Sequence, residues 1–376
     1  MTIRELIKIS KNVIAGKMRL DLLSRFYGSP VFRQNKSKIT REEIGTIQQN
    51  LFAQGIVSSL DQSGDKFVLK VLRTSSAPKN KYFTNIILFF LTIVSTMVTG
   101  SMLTGHDPFA SWQELQAGAS YSFALLTILF CHEMGHYLSA RYYKMNASLP
   151  YFIPFFIPFV FHPGTMGAFI KMRSSIPNKK ALLDIGISGP LAGLIASLIF
   201  LIIGLNQLPD AEGVNNIIAQ IHPLDDSEGL NIVLGNSLLY DYLINVFNAH
   251  HLPMDEIYHF PFIFAGWFGL LVTAINLMPI GQLDGGHITY ALFGDRARHI
   301  AKAAFILFIV LNVYLISNFH SYIWILWIIL ILVFIRFRHP PTLDNSIKLD
   351  AKRKALGYLS YFIFIISFSP LPFHIY

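Results

Sequence analysis

Long apolar runs follow one another from residue 83 almost to the end of the chain, and they constrain the fold more than any other feature. A hydrocarbon core of about 30 Å is crossed by roughly 20 helical residues. The runs near Phe83–Met102, Tyr121–Tyr143, Leu182–Leu205, Phe260–Met278, Ala303–Ile316, Ser321–Phe337 and Ala355–Phe368 therefore predict about seven transmembrane helices. Composition agrees: 53% of the residues are hydrophobic and 14% charged, where a soluble domain carries about 25% charged residues. The single cysteine, Cys131, excludes an intrachain disulfide framework and a cysteine-based zinc knuckle. It reads as a small packing residue within a span, and any metal must be held by His and carboxylate.

The net charge of +8 is distributed by topology, which removes the need for a nucleic-acid partner. Residues 105–120 and 206–259 contain no Lys or Arg, and the second stretch holds eight acids, among them Asp210, Glu212, Asp225, Asp226 and Glu228. Every basic residue falls in the N-terminal 82 residues or in 141–180, 296–302 and 336–354, which alternate with the acidic loops across the expected spans. An odd number of spans then predicts a multi-pass cell-membrane protein with a cytosolic N-terminus and an external C-terminus. No cleavable signal peptide is expected, because the first residues lack a continuous apolar core.

Residues 1–80 read as a small cytosolic mixed α/β domain. A basic amphipathic helix is expected near Ile3–Phe26. Thr40 and Glu43 form a capping box for a second helix ending near Gly55. Lys66–Val71 alternates as a strand, and Ser75–Lys81 reads as a linker.

The chemistry concentrates in Cys131-His132-Glu133-Met134-Gly135-His136, an H-E-x-x-H inside the second span. Residues four apart share one helix face, so His132 and His136 can offer two imidazole nitrogens to one tetrahedral Zn²⁺. Glu133 is placed to take a proton from the water that such an ion activates. It is also the only acid in the middle of an expected span, where a carboxylate costs a few kcal/mol unless it is paired or functional. A catalytic zinc needs a third protein ligand. Asp184 and Asp284 are the acids that topology brings to the same side, and Asp284, beside Gly285 and Gly286, is favoured. Asp184 reads instead as a charge near a helix N-terminus. His162 and His287 are candidates for a supporting role near the metal or for satisfied polar neighbours.

HEMGH in one span and Asn276-Leu277-Met278-Pro279-Ile280-Gly281-Gln282-Leu283-Asp284-Gly285-Gly286 at the end of a later one resemble the site-2 protease family of intramembrane zinc metalloproteases, peptidase M50-like. Gly186-Ile187-Ser188-Gly189-Pro190-Leu191-Ala192-Gly193 resembles the family's Gly-rich middle helix, and Gly164–Ser174 its re-entrant hairpin. The N-terminal domain and Arg338-His339-Pro340-Pro341-Thr342 resemble the bacterial and chloroplast branch that includes the ethylene-dependent gravitropism-deficient and yellow-green proteins. The resemblance implies one Zn²⁺ held by His132, His136 and Asp284, with Glu133 as catalytic acid/base. It also implies that Asn276 positions substrate or donates to the oxyanion, unless it serves helix packing.

The expected fold is thus an all-α polytopic membrane protein with a re-entrant β-hairpin near the site and a small N-terminal α/β domain. Residues 83–293 form the metalloprotease core and 294–376 the C-terminal transmembrane helices. The expected activity is hydrolysis of peptide bonds in transmembrane protein substrates within the lipid bilayer. A membrane transporter with a midplane metal site, or a catalytically silent substrate-binding homologue, is the alternative.

Overall fold

Ahead of the apolar runs the chain alternates short strands with one helix: β1 (Met18–Leu20), β2 (Val31–Gln34), α1 (Arg41–Ala53), β3 (Val57–Ser63) and β4 (Lys66–Leu72). The structure is a computed structural model and describes residues 18–20, 31–34, 40–53, 56–63, 66–72, 82–157, 162–222, 232–334 and 339–375. The strands form an antiparallel sheet in the order β1-β2-β4-β3. Ile44, Ile47 and Leu51, on one face of α1, bury against Phe32, Leu60 and Leu69 of the sheet. Thr40 caps α1 as expected: the Glu43 N–H donates to Thr40 Oγ1 at 3.3 Å and the Thr40 N–H to Glu43 Oε2 at 2.9 Å. The helix expected over Ile3–Phe26 fails at Met18–Leu20, where apolar, basic and apolar residues alternate and pair with Phe32–Gln34 as a strand. The rest of that stretch and the expected linker Ser75–Lys81 lie outside the described residues.

The apolar part comprises α2 (Tyr82–Leu103), α3 (Trp112–Gln116), α4 (Ala119–Tyr142), β5 (Tyr151–Pro154), β6 (Thr165–Phe169), α5 (Lys179–Asn206) and α6 (Ala211–Ile221). It continues with β7 (Ile232–Leu234), α7 (Leu238–Val246), α8 (Pro261–Leu277), α9 (Asp284–Phe293), α10 (Ala297–Phe319), α11 (Ile325–Phe334), α12 (Ala351–Ser367) and β8 (Phe373–Ile375). Among the described residues, four helical segments are long and apolar enough to cross a membrane: Tyr82–Leu103, Trp112–Tyr142, Lys179–Asn206 and Asp284–Phe319. The last is α9 and α10 joined through a 3₁₀ turn at Gly294–Arg296. Where three further spans were expected, α8 and α12 run for 17 residues each, and α11 is described over Ile325–Phe334. Pro261 starts α8 and Pro279 follows its end, which fixes its length.

The helix pair α4 and α5 forms the centre. Gly135 of α4 lies against the α5 backbone, where an added Cβ would stand 2.3 Å from Ser188 O. On α5, a Cβ at Gly189 would stand 2.1 Å from His136 Nε2, and one at Gly193 would stand 3.1 Å from His132 Nδ1. Two imidazoles four residues apart on α4 therefore rest on two glycines four residues apart on α5.

A second junction joins the N-terminal sheet to the membrane helices. The segment 339–346 runs between β3 and the residues that lead into α5: the Leu343 N–H donates to Ile176 O at 2.9 Å and the Asp344 N–H to Pro177 O at 2.8 Å. On its other edge the Asn345 N–H donates to Leu60 O at 2.8 Å and the Leu60 N–H to Leu343 O. Asn345 is buried, donating to Tyr290 Oη at 3.0 Å and accepting from Thr342 Oγ1 at 2.6 Å.

Two predictions follow from these junctions. Gly189→Ala should separate α4 from α5 at the histidine face, costing about 1–3 kcal/mol by overpacking. Its thermal midpoint in detergent and its retained zinc should both fall, whereas Gly167→Ala, in open space on β6 at φ +95°, should leave retained zinc at the wild-type level. Asn345→Ala should strip hydrogen bonds worth about 1–3 kcal/mol from the strap. Hydrogen exchange at the Leu60 amide should then accelerate, with amides inside α1 unchanged.

Candidate active site

His132 and His136 lie on one face of α4, and Asp284 opens α9 after a loop closed by glycines. A Cβ at Gly285 would stand 2.0 Å from Leu277 O, and one at Gly286 would stand 2.2 Å from Gly281 O. Glycine at both positions lets the loop fold tightly over the first turn of α9. Gly281 adopts φ +56°, which turns the chain back after Pro279. The helix N-terminus also favours a carboxylate at Asp284. Spacing alone would end a helix near Asp284; the chain instead starts a new one there.

Three ligand atoms converge. His132 Nε2 and His136 Nε2 are 3.1 Å apart, and Asp284 Oδ2 stands 3.3 Å from the first and 3.1 Å from the second. Tetrahedral zinc with bonds of about 2.0–2.1 Å sets its ligand atoms roughly 3.3 Å apart, so this donor set fits the ion. The His136 Nδ1–H donates to Ile185 O at 2.7 Å, which leaves the Nε2 lone pair directed at the shared centre. His132, Glu133 and His136 are all buried, at 5%, 6% and 7% exposure.

The site opens into a cavity of about 510 Å³ lined by Glu133, Asn276, Gln282 and Asp284, by Ala168–Ile170 at the end of β6, and by His339–Thr342 of the strap. Hairpin β5–β6 is antiparallel, pairing Tyr151 with Phe169 and Phe152 with Ala168. Its first strand, Tyr151–Pro154, precedes the segment singled out from sequence. Asn85 of α2 anchors the hairpin by donating to Leu149 O and Pro150 O at 2.9 Å each. Ser95 Oγ donates to Gly164 O at 2.7 Å.

Asn276 lines the cavity, and its side-chain amide makes no hydrogen bond to any described residue. Asp184 is elsewhere engaged: Arg353 of α12 holds it at 2.7 Å, and Tyr143 Oη donates to it. Its role is a charged clasp between α5 and α12, where sequence suggested only a helix-terminus charge. His162 does not line the cavity, and Gly164 N–H donates to its Nδ1 at 2.9 Å. His287 does line it, and its Nδ1 lies 2.6 Å from His339 Nε2. Burial, with His287 facing it, holds the His339 imidazole down to about 3, so the ring is neutral at neutral pH. His339 Nδ1 then donates to Pro340 O and His339 Nε2 accepts from His287. Sequence reasoning quoted His339 within a motif but gave it no place at the cavity; only the returning strap brings it there.

Comparison with known proteins gives the same region. The protein named probable zinc metalloprotease EGY1, chloroplastic, from Oryza sativa subsp. japonica is 29% identical over 258 residues, 68% of this chain and 41% of that protein. Its namesake from Arabidopsis thaliana is 26% identical over 257 residues, 68% of this chain and 44% of that protein. Probable zinc metalloprotease EGY2, chloroplastic, from Arabidopsis thaliana is 26% identical over 268 residues, 70% of this chain and 44% of that protein. The chain spans less than half the length of these relatives. No solved structure matches it significantly. Peptidase family M50 matches residues 120–317, more than half of the chain and the whole stretch from α4 to α10 that carries the converging side chains. The chain therefore belongs to peptidase family M50.

Proposed function

We propose that this protein is an intramembrane zinc endopeptidase that hydrolyses peptide bonds of transmembrane protein substrates. The observation that carries the reading is the convergence of His132 Nε2, His136 Nε2 and Asp284 Oδ2 beside the buried Glu133, on a cavity roomy enough for water and a peptide. Zinc held by these three residues supplies Lewis acidity toward a water molecule and the scissile carbonyl. Glu133 takes the proton of the attacking water and delivers it to the leaving amine nitrogen. The unengaged amide of Asn276 donates to the oxyanion as it forms, or holds the substrate backbone. A transmembrane helix hides its peptide bonds, so the substrate unwinds and lies along β6, whose Ala168, Phe169 and Ile170 border the cavity, adding a strand to the hairpin.

The same reading takes seven spans, with the N-terminus cytosolic and the C-terminus outside. Two pairings support it. β3 of the basic N-terminal segment meets the strap in the basic stretch 336–354, while β7 of the acidic stretch 206–259 pairs with β8 near the C-terminus. Each sheet thus joins segments that the charge pattern assigns to one side.

Glu133→Gln should lower cleavage of a transmembrane substrate in detergent by about 10²–10⁴-fold while zinc stays bound. Equal cleavage by wild type and variant removes the protease reading. Asp284→Ala should lose stoichiometric zinc and Asp184→Ala should keep it; the reverse pattern reassigns the third ligand. For orientation, in a Cys131→Ser background, Asn216→Cys should react with a membrane-impermeant maleimide on intact cells. Lys348→Cys should react only after permeabilisation, and labelling of both from outside overturns the topology.

A further inference from the structure

The described residues contain a second convergence of ligand atoms, remote from the first. His222, which ends α6, meets Glu256 and His259 in the turn that leads into α8. His222 Nε2 is 3.0 Å from His259 Nε2, and Glu256 Oε2 is 3.0 Å from His259 Nε2 and 3.9 Å from His222 Nε2. These separations bracket the roughly 3.3 Å edge of a tetrahedral zinc site. The cluster precedes α8 while Asp284 follows it, so about 25 Å of helix separates the two at 1.5 Å per residue.

Hydrogen bonding alone does not satisfy this group. The His259 Nδ1–H donates to Leu103 O at the end of α2, which leaves the Nε2 lone pair facing His222 Nε2 and Glu256 Oε2. Glu256 Oε2 is buried and accepts no hydrogen bond from a described residue, although it lies 3.0 Å from His259 Nε2. One proton on His259 Nε2 would serve a single acceptor; a cation among the three atoms satisfies all of them. The backbone-anchored imidazole repeats the arrangement of His136 on Ile185 O, in which the carbonyl fixes the tautomer that ligates. His259 is buried at 6% exposure, whereas His222 is exposed, leaving a solvent side for a fourth, water ligand.

We infer that His222, Glu256 and His259 bind a divalent transition cation of the zinc class, a structural clasp that ties the end of α6 to the start of α8 and, through Leu103, to the end of α2. Two imidazoles and one carboxylate suit zinc and disfavour calcium or magnesium, which take oxygen donors. The clasp needs no catalytic role at the first site.

The test is elemental analysis of the full chain in detergent, stripped with chelator, refilled with Zn²⁺ and freed of excess. Wild type should hold two zinc ions per chain. His222→Asn and Glu256→Gln should each hold one, His136→Ala should hold one, and the pair His222→Asn with His136→Ala none. The zinc retained by His222→Asn reports that the variant has folded. A wild type holding a single ion that His136→Ala removes and His222→Asn does not would overturn the clasp. A single ion removed by His222→Asn and not by His136→Ala would keep the clasp and remove the metal centre of the protease reading.

Discussion

The structure depends on how closely α5 approaches the histidine face of α4. An imidazole that ligates a metal must be held by something other than the metal, or its orientation is lost whenever the ion leaves. Here the holding surface is backbone: His136 lies on Gly189 and donates to Ile185 O, and His132 lies on Gly193. Any side chain at Gly189 would occupy the space of the His136 ring. The four-residue spacing of the histidines and that of the glycines are thus one geometric requirement written on two helices. Without apolar driving force between helices in lipid, such close backbone approach also supplies the packing that holds the pair together.

That requirement propagates outward. α5 must enter the bundle at a fixed angle, and Asn178 sets its start by accepting from the Ala181 N–H at 3.0 Å. The residues just before it, Ile176 and Pro177, accept from the strap, which in turn accepts from and donates to β3. The strap also carries His339, hydrogen-bonded to His287 one turn after Asp284 on α9. A continuous path of hydrogen bonds therefore runs from the N-terminal sheet to the helix that presents Asp284. Arg353, in the first turn of α12, adds a charged tie by holding Asp184 on α5. The charge clasp lies within reach of solvent, so its contribution to stability is modest; its geometry, with three contacts from one guanidinium, fixes the placement of α12.

Legibility from sequence followed the range of the interaction. The H-E-x-x-H pair was readable because helical period alone puts His132 and His136 on one face. The capping box at Thr40 and Glu43 and the strand at Lys66–Leu72 were readable for the same local reason. Asp284 was recoverable because charge patterning limits which acids reach the same side. What local pattern misled was Met18–Leu20, a three-residue strand fixed by its pairing with β2 rather than by its own period. Tyr151–Pro154 was missed because its Pro154 and its short length weaken the strand signal, and its pairing to β6 is what makes it a strand. His339 at the cavity and the cluster at His222 were beyond reach, since each depends on segments distant in sequence meeting only after the helices pack.

On the proposed reading, hydrolysis below a bilayer surface would set two opposed demands, and the cavity fits both. Water must reach Glu133, and non-helical backbone at membrane depth must be covered by protein or face water. The lining meets the second demand with the hairpin, whose backbone is paired by β5–β6 and anchored to α2 through Asn85 and Ser95. It meets the first with polar groups in the lining: Asn276, Gln282, His287, His339 and Thr342. The strap that lines the cavity is hydrogen-bonded to β3, so the N-terminal sheet backs one part of the cavity lining. The N-terminal sheet is therefore tied through the strap to the cavity, and on the proposed reading a change in its packing would reach groups that line the route of water.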